Sequence, residues 1–155
     1  MPYDPTRTPI RELILQDIEE KLGDIQGASS YASTVPFVRR WNGNVLLNIP
    51  SYPCALVVPL TERSDDGRST LIEHVMEIGI VLGVRASTWM TDINKLLADV
   101  RVALLTDPSR DGNAVTTRVV EEEVFDGDPR QNIGSAQVVV EVHYRTNYDD
   151  PTTAA

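Results

Sequence analysis

A chain of 155 residues, 41% hydrophobic and 24% charged, is sized for one domain that buries about two-thirds of its unfolded surface. Fourteen Lys and Arg against 23 Asp and Glu leave a formal charge of −9, which excludes general affinity for a phosphate backbone or an anionic membrane surface. Cys54 is the single cysteine, which excludes an intrachain disulfide and a multi-cysteine zinc site.

The opening "MPYDPTRTP" lacks the basic start and apolar core of a signal peptide, and no window approaches the roughly 20 apolar residues of a membrane span. The expected compartment at synthesis is the cytoplasm. In "TPIRELILQDIEEKLGDI", Ile10, Leu13, Ile14, Ile18 and Leu22 form one stripe with Arg11, Glu12, Glu19 and Glu20 opposite, which predicts an amphipathic helix. Thr8 is placed to cap it, Pro9 to open it and Gly23 to stop it. "GASSYAST" (27–34) reads as a loop, and "VPFVRRW" as a short strand whose Pro36 points to a sheet edge. After the turn-rich 42–53, "CALVVPLTER" is a second strand, and its Pro59 disfavours a central place.

"SDDGRS" is a turn on Asp66-Gly67 leading to a long strand over 70–86. There Ile72, Met76, Ile78, Ile80, Leu82 and Val84 alternate with Glu73, Glu77, Gly79, Gly83 and Arg85, and His74 interrupts the apolar face. Gly79 and Gly83 suggest bending or close backbone approach. A second helix follows, capped by Ser87 or Thr88 and ended by Asp107-Pro108, with Trp89, Ile93, Leu96, Leu97, Val100 and Leu104 buried. "NAVTTRVVEEEVF" is a strand, 126–134 a loop, and "QVVVEVHYRTNYDDP" a half-buried strand roughly twice the usual length. The expected fold is a single α+β domain over 1–155, with a mainly antiparallel or mixed sheet of about five strands carrying two helices. Residues 1–6 and 150–155 are expected to be flexible.

The candidate chemistry is sparse. "DPSRDGN" (107–113) matches the first half of a calcium loop, but Arg118 stands where the closing bidentate Glu belongs, so a helix stop and turn is the preferred reading. Glu121 and Glu123 share one strand face with Glu122 on the other, so the three do not converge on one ion. Cys54, His74 and His143 are the conventional nucleophile and imidazole candidates, and none sits in a local catalytic motif. There is no Gly-x-Ser-x-Gly and no phosphate-binding glycine loop. "RRW" (39–41) is either a stacking Trp beside two arginines or a strand end with an anchored aromatic. These residues point to a domain that is not an enzyme and has no catalytic residues, cofactor or metal.

The order of elements resembles the tail terminator (tail completion) proteins of long-tailed bacteriophages. The likeness is carried by "IRELILQDIEEKL", "YASTVPFVRRW", "YPCALVVPLTE", the strand 70–86, "INKLLADVRVALLTD" with the turn at Gly112, and "VEVHYRTNYDDP". Residues 42–53 and 126–134 carry no matching phrase. The resemblance implies a virion subunit, assembled in the host bacterial cytoplasm, that forms a homo-oligomeric ring, typically a hexamer. It implies that the ring caps the tail tube protein, ends its polymerisation and docks the head–tail connector or stopper. Genomic DNA would pass through the lumen without specific binding, and no membrane is involved. Other head–tail connector rings (stopper or adaptor) and a small binding domain outside the virion are the alternatives. In such a ring the turn 62–69 is expected to project from the core, with Glu62, Arg63, Asp65, Asp66 and Arg68 as assembly contacts. A plain solvated turn is the competing view.

Overall fold

The computed structural model describes residues 3–27, 30–41, 49–65, 70–128 and 130–155. Two helices, α1 (Ile10–Gly23) and α2 (Trp89–Leu105), pack on one face of a six-stranded sheet. The strands are β1 (Phe37–Arg40), β2 (Cys54–Asp65), β3 (Leu71–Arg85), β4 (Thr116–Asp128), β5 (Ile133–Asn147) and β6 (Asp150–Ala154). The order across the sheet is β1-β2-β3-β5-β4, with β6 paired to β5. Among the described residues β1 and β2 run parallel and the other pairs are antiparallel. The domain is α+β, as its periodicities predict.

The alternation in β3 and β5 sets which face is buried. Met76, Ile78, Ile80, Leu82 and Val84 of β3 share the helix-covered face with Ala136, Val138, Val140, Val142 and Tyr144 of β5. Onto it α1 lays Ile10, Ile14, Leu15, Ile18 and Leu22, and α2 lays Ile93, Leu96, Leu97, Val100, Ala103 and Leu104. Asp99, buried on α2, accepts from the backbone N–H groups of Ala32 and Ser33 at 3.0 and 2.7 Å, and so pins the loop before β1.

Three boundaries differ from expectation for local reasons. Pro9 itself takes the cap position of α1, its carbonyl accepting from the N–H groups of Glu12 and Leu13, and Thr8 makes no capping bond. The turn before β5 is shorter than 126–134, because β4 runs to Asp128 and β5 starts at Ile133. Residues 150–155, expected as a flexible end, instead carry β6. Asp150 organises it by accepting from the Thr152 N–H and from the hydroxyls of Thr152 and Thr153, bonds that hold its carboxyl down at about 2.

Pro59 is tolerated for a reason of length. The four residues of β1 pair with Cys54–Val57, so among the described residues no strand lies on that side of β2 at Pro59. Gly83 and Gly134 mark close approaches. A Cβ on Gly83 would lie 2.9 Å from the Cys54 sulfur, and one on Gly134 would lie 2.2 Å from the Trp89 ring.

Candidate functional site

Between Pro59 and Glu62 the pairing of β2 with β3 slips by one residue, and this bulge inverts the phase of β2. Before it, Ala55, Val57 and Pro59 share the helix-covered face with the even residues of β3. After it, Glu62 opposes Met76 and Ser64 opposes His74, so these two now occupy that face. Arg63 and Asp65 turn to the other side, opposite Val75 and Glu73. Asp66 and Arg68 lie outside the described residues. Glu62 therefore turns to the opposite side of the hairpin from Arg63 and Asp65, although all three remain exposed.

The bulge completes a polar cluster beyond the start of α1. The His74 and Tyr144 rings stack with centroids 4.4 Å apart and planes 14° from parallel. His74 Nδ1 lies 2.8 Å from the Ser64 hydroxyl and Nε2 2.9 Å from the Thr146 hydroxyl, so both ring nitrogens are bonded. The Tyr144 hydroxyl donates to Glu62 Oε1 at 2.5 Å, and Arg11 Nε of α1 sits 3.6 Å from the same oxygen. Burial pushes the His74 imidazole below its ordinary range, opposed by the charge of Glu62. Burial, followed by the bond to Glu62, raises the Tyr144 hydroxyl. The result is a neutral imidazole held between two hydroxyls.

The face opposite the helices is graded along the strands. Val58, Leu60, Val81 and Val139 form an apolar band in which the Leu60 side chain lies over Gly79, while Leu56 on the same face is already buried. Next to it runs the row Thr61–Glu77–Glu141–Arg118, with Glu77 directly opposite Glu141, a like-charge pair that disfavours the bare sheet. Thr61 donates to Glu77 at 3.2 Å, and His143 Nε2 lies 2.9 Å from Glu141. Glu73 is bound by Arg145 at 2.8 Å on the far side of His143.

The other candidates fall apart from one another. Burial pushes the Cys54 thiol up to about 11. Cys54 opposes Gly83 and His143 opposes Val75, positions eight residues apart on β3, or ~26 Å at about 3.3 Å per residue. His74 points to the opposite face. The β4 carboxylates divide as expected: Glu121 and Glu123 face away from the helices, and Glu122 faces α2, where Arg101 meets it at 3.1 Å. In "RRW", Arg40 is claimed by Glu19 and Glu12 of α1 at 2.5 and 2.7 Å, the Trp41 N–H donates to Val57, and Arg39 is exposed.

The loop 107–113 encloses a cation of its own. Arg110, fully buried, donates from Nη2 to the carbonyls of Leu104 and Asp107, and its Nη1 lies 3.1 Å from Asp17 Oδ2 on α1. Asp107 spends its oxygens on the Ser109 N–H and hydroxyl and on the Asp111 N–H. Arg110, Asp111 and Gly112 all take positive φ to make this turn. Sequence reasoning missed Arg110 because a charged residue in a Gly/Asp turn ordinarily faces water. Among the described residues, no three His, Cys, Asp or Glu side chains gather as a metal-binding group. Neither a protein-family model nor a curated protein sequence matches the chain.

Proposed function

We propose that the chain is a ring-forming tail terminator of a long-tailed bacteriophage. It caps the tail tube, ends its polymerisation and offers its other side to the head-side connector, while DNA passes through the lumen ungripped. One observation carries the reading beyond the sequence likeness. Among the described residues, a sheet with 15-residue central strands carries helices on one face, and the rest of its other face joins a part-exposed apolar band to charged rows. Such a face suits contact with another folded surface, whereas a substrate site would need a concave pocket with converging groups. The charge of −9 supports a conduit that repels the phosphate backbone.

The test is to add purified protein to polymerising tail tube protein and follow tube length and tube ends by electron microscopy. The expected result is ring density at one end and arrested growth. Continued elongation at saturating protein, with bare ends, would overturn the proposal. Rings that bind the connector but never a tube end would reassign the chain to a stopper or adaptor.

A further inference from the structure

The two outer edges of the sheet carry complementary sequences. β1 pairs with β2 alone and β4 with β5 alone, so among the described residues each has one unpartnered side. Tracing the register across all five strands gives four consecutive rows. The first runs Phe37–Cys54–Gly83–Ser135–Phe125 and the second Val38–Ala55–Leu82–Ala136–Val124. The third runs Arg39–Leu56–Val81–Gln137–Glu123 and the fourth Arg40–Val57–Ile80–Val138–Glu122. Each row thus ends in a matched pair on opposite edges: Phe with Phe, Val with Val, Arg with Glu, Arg with Glu. The chain's two phenylalanines are the ends of one row. Four strand spacings of about 4.8 Å put each pair ~19 Å apart within one molecule, too far to meet.

We propose that β1 of one copy adds antiparallel to β4 of the next, with Phe37, Val38, Arg39 and Arg40 opposite Phe125, Val124, Glu123 and Glu122. The inference rests on the ring reading and names its interface. The strand directions permit it, because β1 runs parallel to β2, and β4 runs antiparallel to β5 and hence to β2 and β1. Side chains alternate correctly as well: Phe37 and Arg39 lie on the helix-free face with Phe125 and Glu123, and Val38 and Arg40 on the helix side with Val124 and Glu122. Val124 is 44% exposed. Arg40 and Glu122 are already bound by α1 and α2. Arg39 and Glu123 make no ion pair among the described residues and remain for the neighbour.

The same charges argue against a two-fold dimer. Antiparallel self-pairing over β1 residues 39–40 sets Arg against Arg, and over β4 residues 121–123 it sets Glu against Glu, and like charges directly opposite are unfavourable. Only the head-to-tail arrangement pairs unlike edges, and repeating it generates a ring when the rotation closes.

The experiment uses Arg39→Glu, Glu123→Arg, the double variant and an equimolar mixture of the two single variants, with the full chain throughout. Sedimentation velocity over a concentration series reads the assembly, and thermal unfolding checks that each variant is folded. Each single variant should raise the concentration for assembly about tenfold or more, since reversal turns one attraction per interface into a repulsion. The double variant should regain assembly. So should the mixture, because each kind of edge then meets only its opposite in an alternating ring. Reversed variants that assemble like the wild type, or singles that neither the second change nor mixing restores, would overturn this interface and leave the ring reading standing. A wild-type chain monomeric at every concentration, in solution and on tube ends, would overturn both.

Discussion

Glu62 accepts the Tyr144 hydroxyl at 2.5 Å because a one-residue bulge after Pro59 turns it toward the helix side of the sheet. Without the slip, Glu62 would project from the opposite face with the hairpin's other charges. The bond instead gives the buried phenol an acceptor where the core changes from apolar to polar.

Glu62→Ala should therefore destabilise the fold by about 1–3 kcal/mol, the cost of leaving a buried hydroxyl unpaired. Arg63→Ser, one residue on and facing outward, should stay within about 0.5 kcal/mol. Urea unfolding of both variants checks the contrast, and Tyr144→Phe added to Glu62→Ala should recover part of the loss. Equal effects at 62 and 63 would contradict the phase inversion.

Arg110 and Asp17 form a buried pair, and burial moves both groups toward their neutral forms against their mutual attraction. Removing one partner strands the other, so Asp17→Ala should cost about 3–5 kcal/mol. The apolar replacement Asp17→Leu with Arg110→Met should cost less than Asp17→Ala alone. A chemical-denaturation cycle over these variants measures the coupling, and an additive outcome would mean the pair is not coupled.

The helices, the long strands and their buried faces were legible because strict periodicities of 3.6 and 2 leave few alternatives: every second residue from Met76 to Val84 is buried as its alternation demands. The place of Pro36 just before the edge strand β1 was legible for the same reason, the missing N–H, whereas Pro59 sits inside β2, between β1 and β3 in the strand order. Three features were not. The bulge depends on how β2 is paired and leaves only Pro59 as a hint. The burial of Arg110 depends on α1 bringing Asp17 to the loop. The matching of "FVRR" with "EEVF" is visible only once the strand order separates β1 and β4 to opposite edges. Asp150 was misjudged because a short polar end resembles a loose one, although Asp-x-Thr-Thr is a self-bonding turn.

His74 supplies a pH dependence. Its folded pKa lies below the ordinary 6.5, so as pH falls through that value the unfolded chain takes up the proton first and native stability drops. Above pH 6.5 the residue contributes no slope; below its folded pKa the loss is complete and constant. The groups facing it are Glu62 of β2, with Arg11 of α1 beside that carboxylate, and Tyr144, whose hydroxyl burial and the bond to Glu62 raise. Asp17 is raised and slopes the other way, but it lies outside the cluster. Subtracting the stability curve of His74→Gln from that of the wild type between pH 5 and 8 should isolate a slope that rises with pH. A flat difference would mean that the imidazole is free to protonate in the folded state.

Assembly should respond to salt in two opposing phases. Each subunit carries −9, and at 0.01 M ionic strength, with a screening length of about 30 Å, copies repel across their whole width. Raising salt to about 0.15 M shortens that length to about 8 Å, which removes the long-range repulsion while leaving Arg39 and Glu123, side by side across one strand gap of about 5 Å, still within reach. Ring formation should strengthen over this interval. Toward 1 M the length falls to about 3 Å and the pair itself is screened, so the gain should flatten or reverse, while the apolar Phe37–Phe125 and Val38–Val124 contacts persist. Mass photometry over the series tests the shape. In the Arg39→Glu variant the second phase should vanish, because there the local contact is repulsive and every increment of salt helps. A wild-type curve that falls monotonically from 0.01 M would show that local ion pairs outweigh the net charge and would refute the two-phase account.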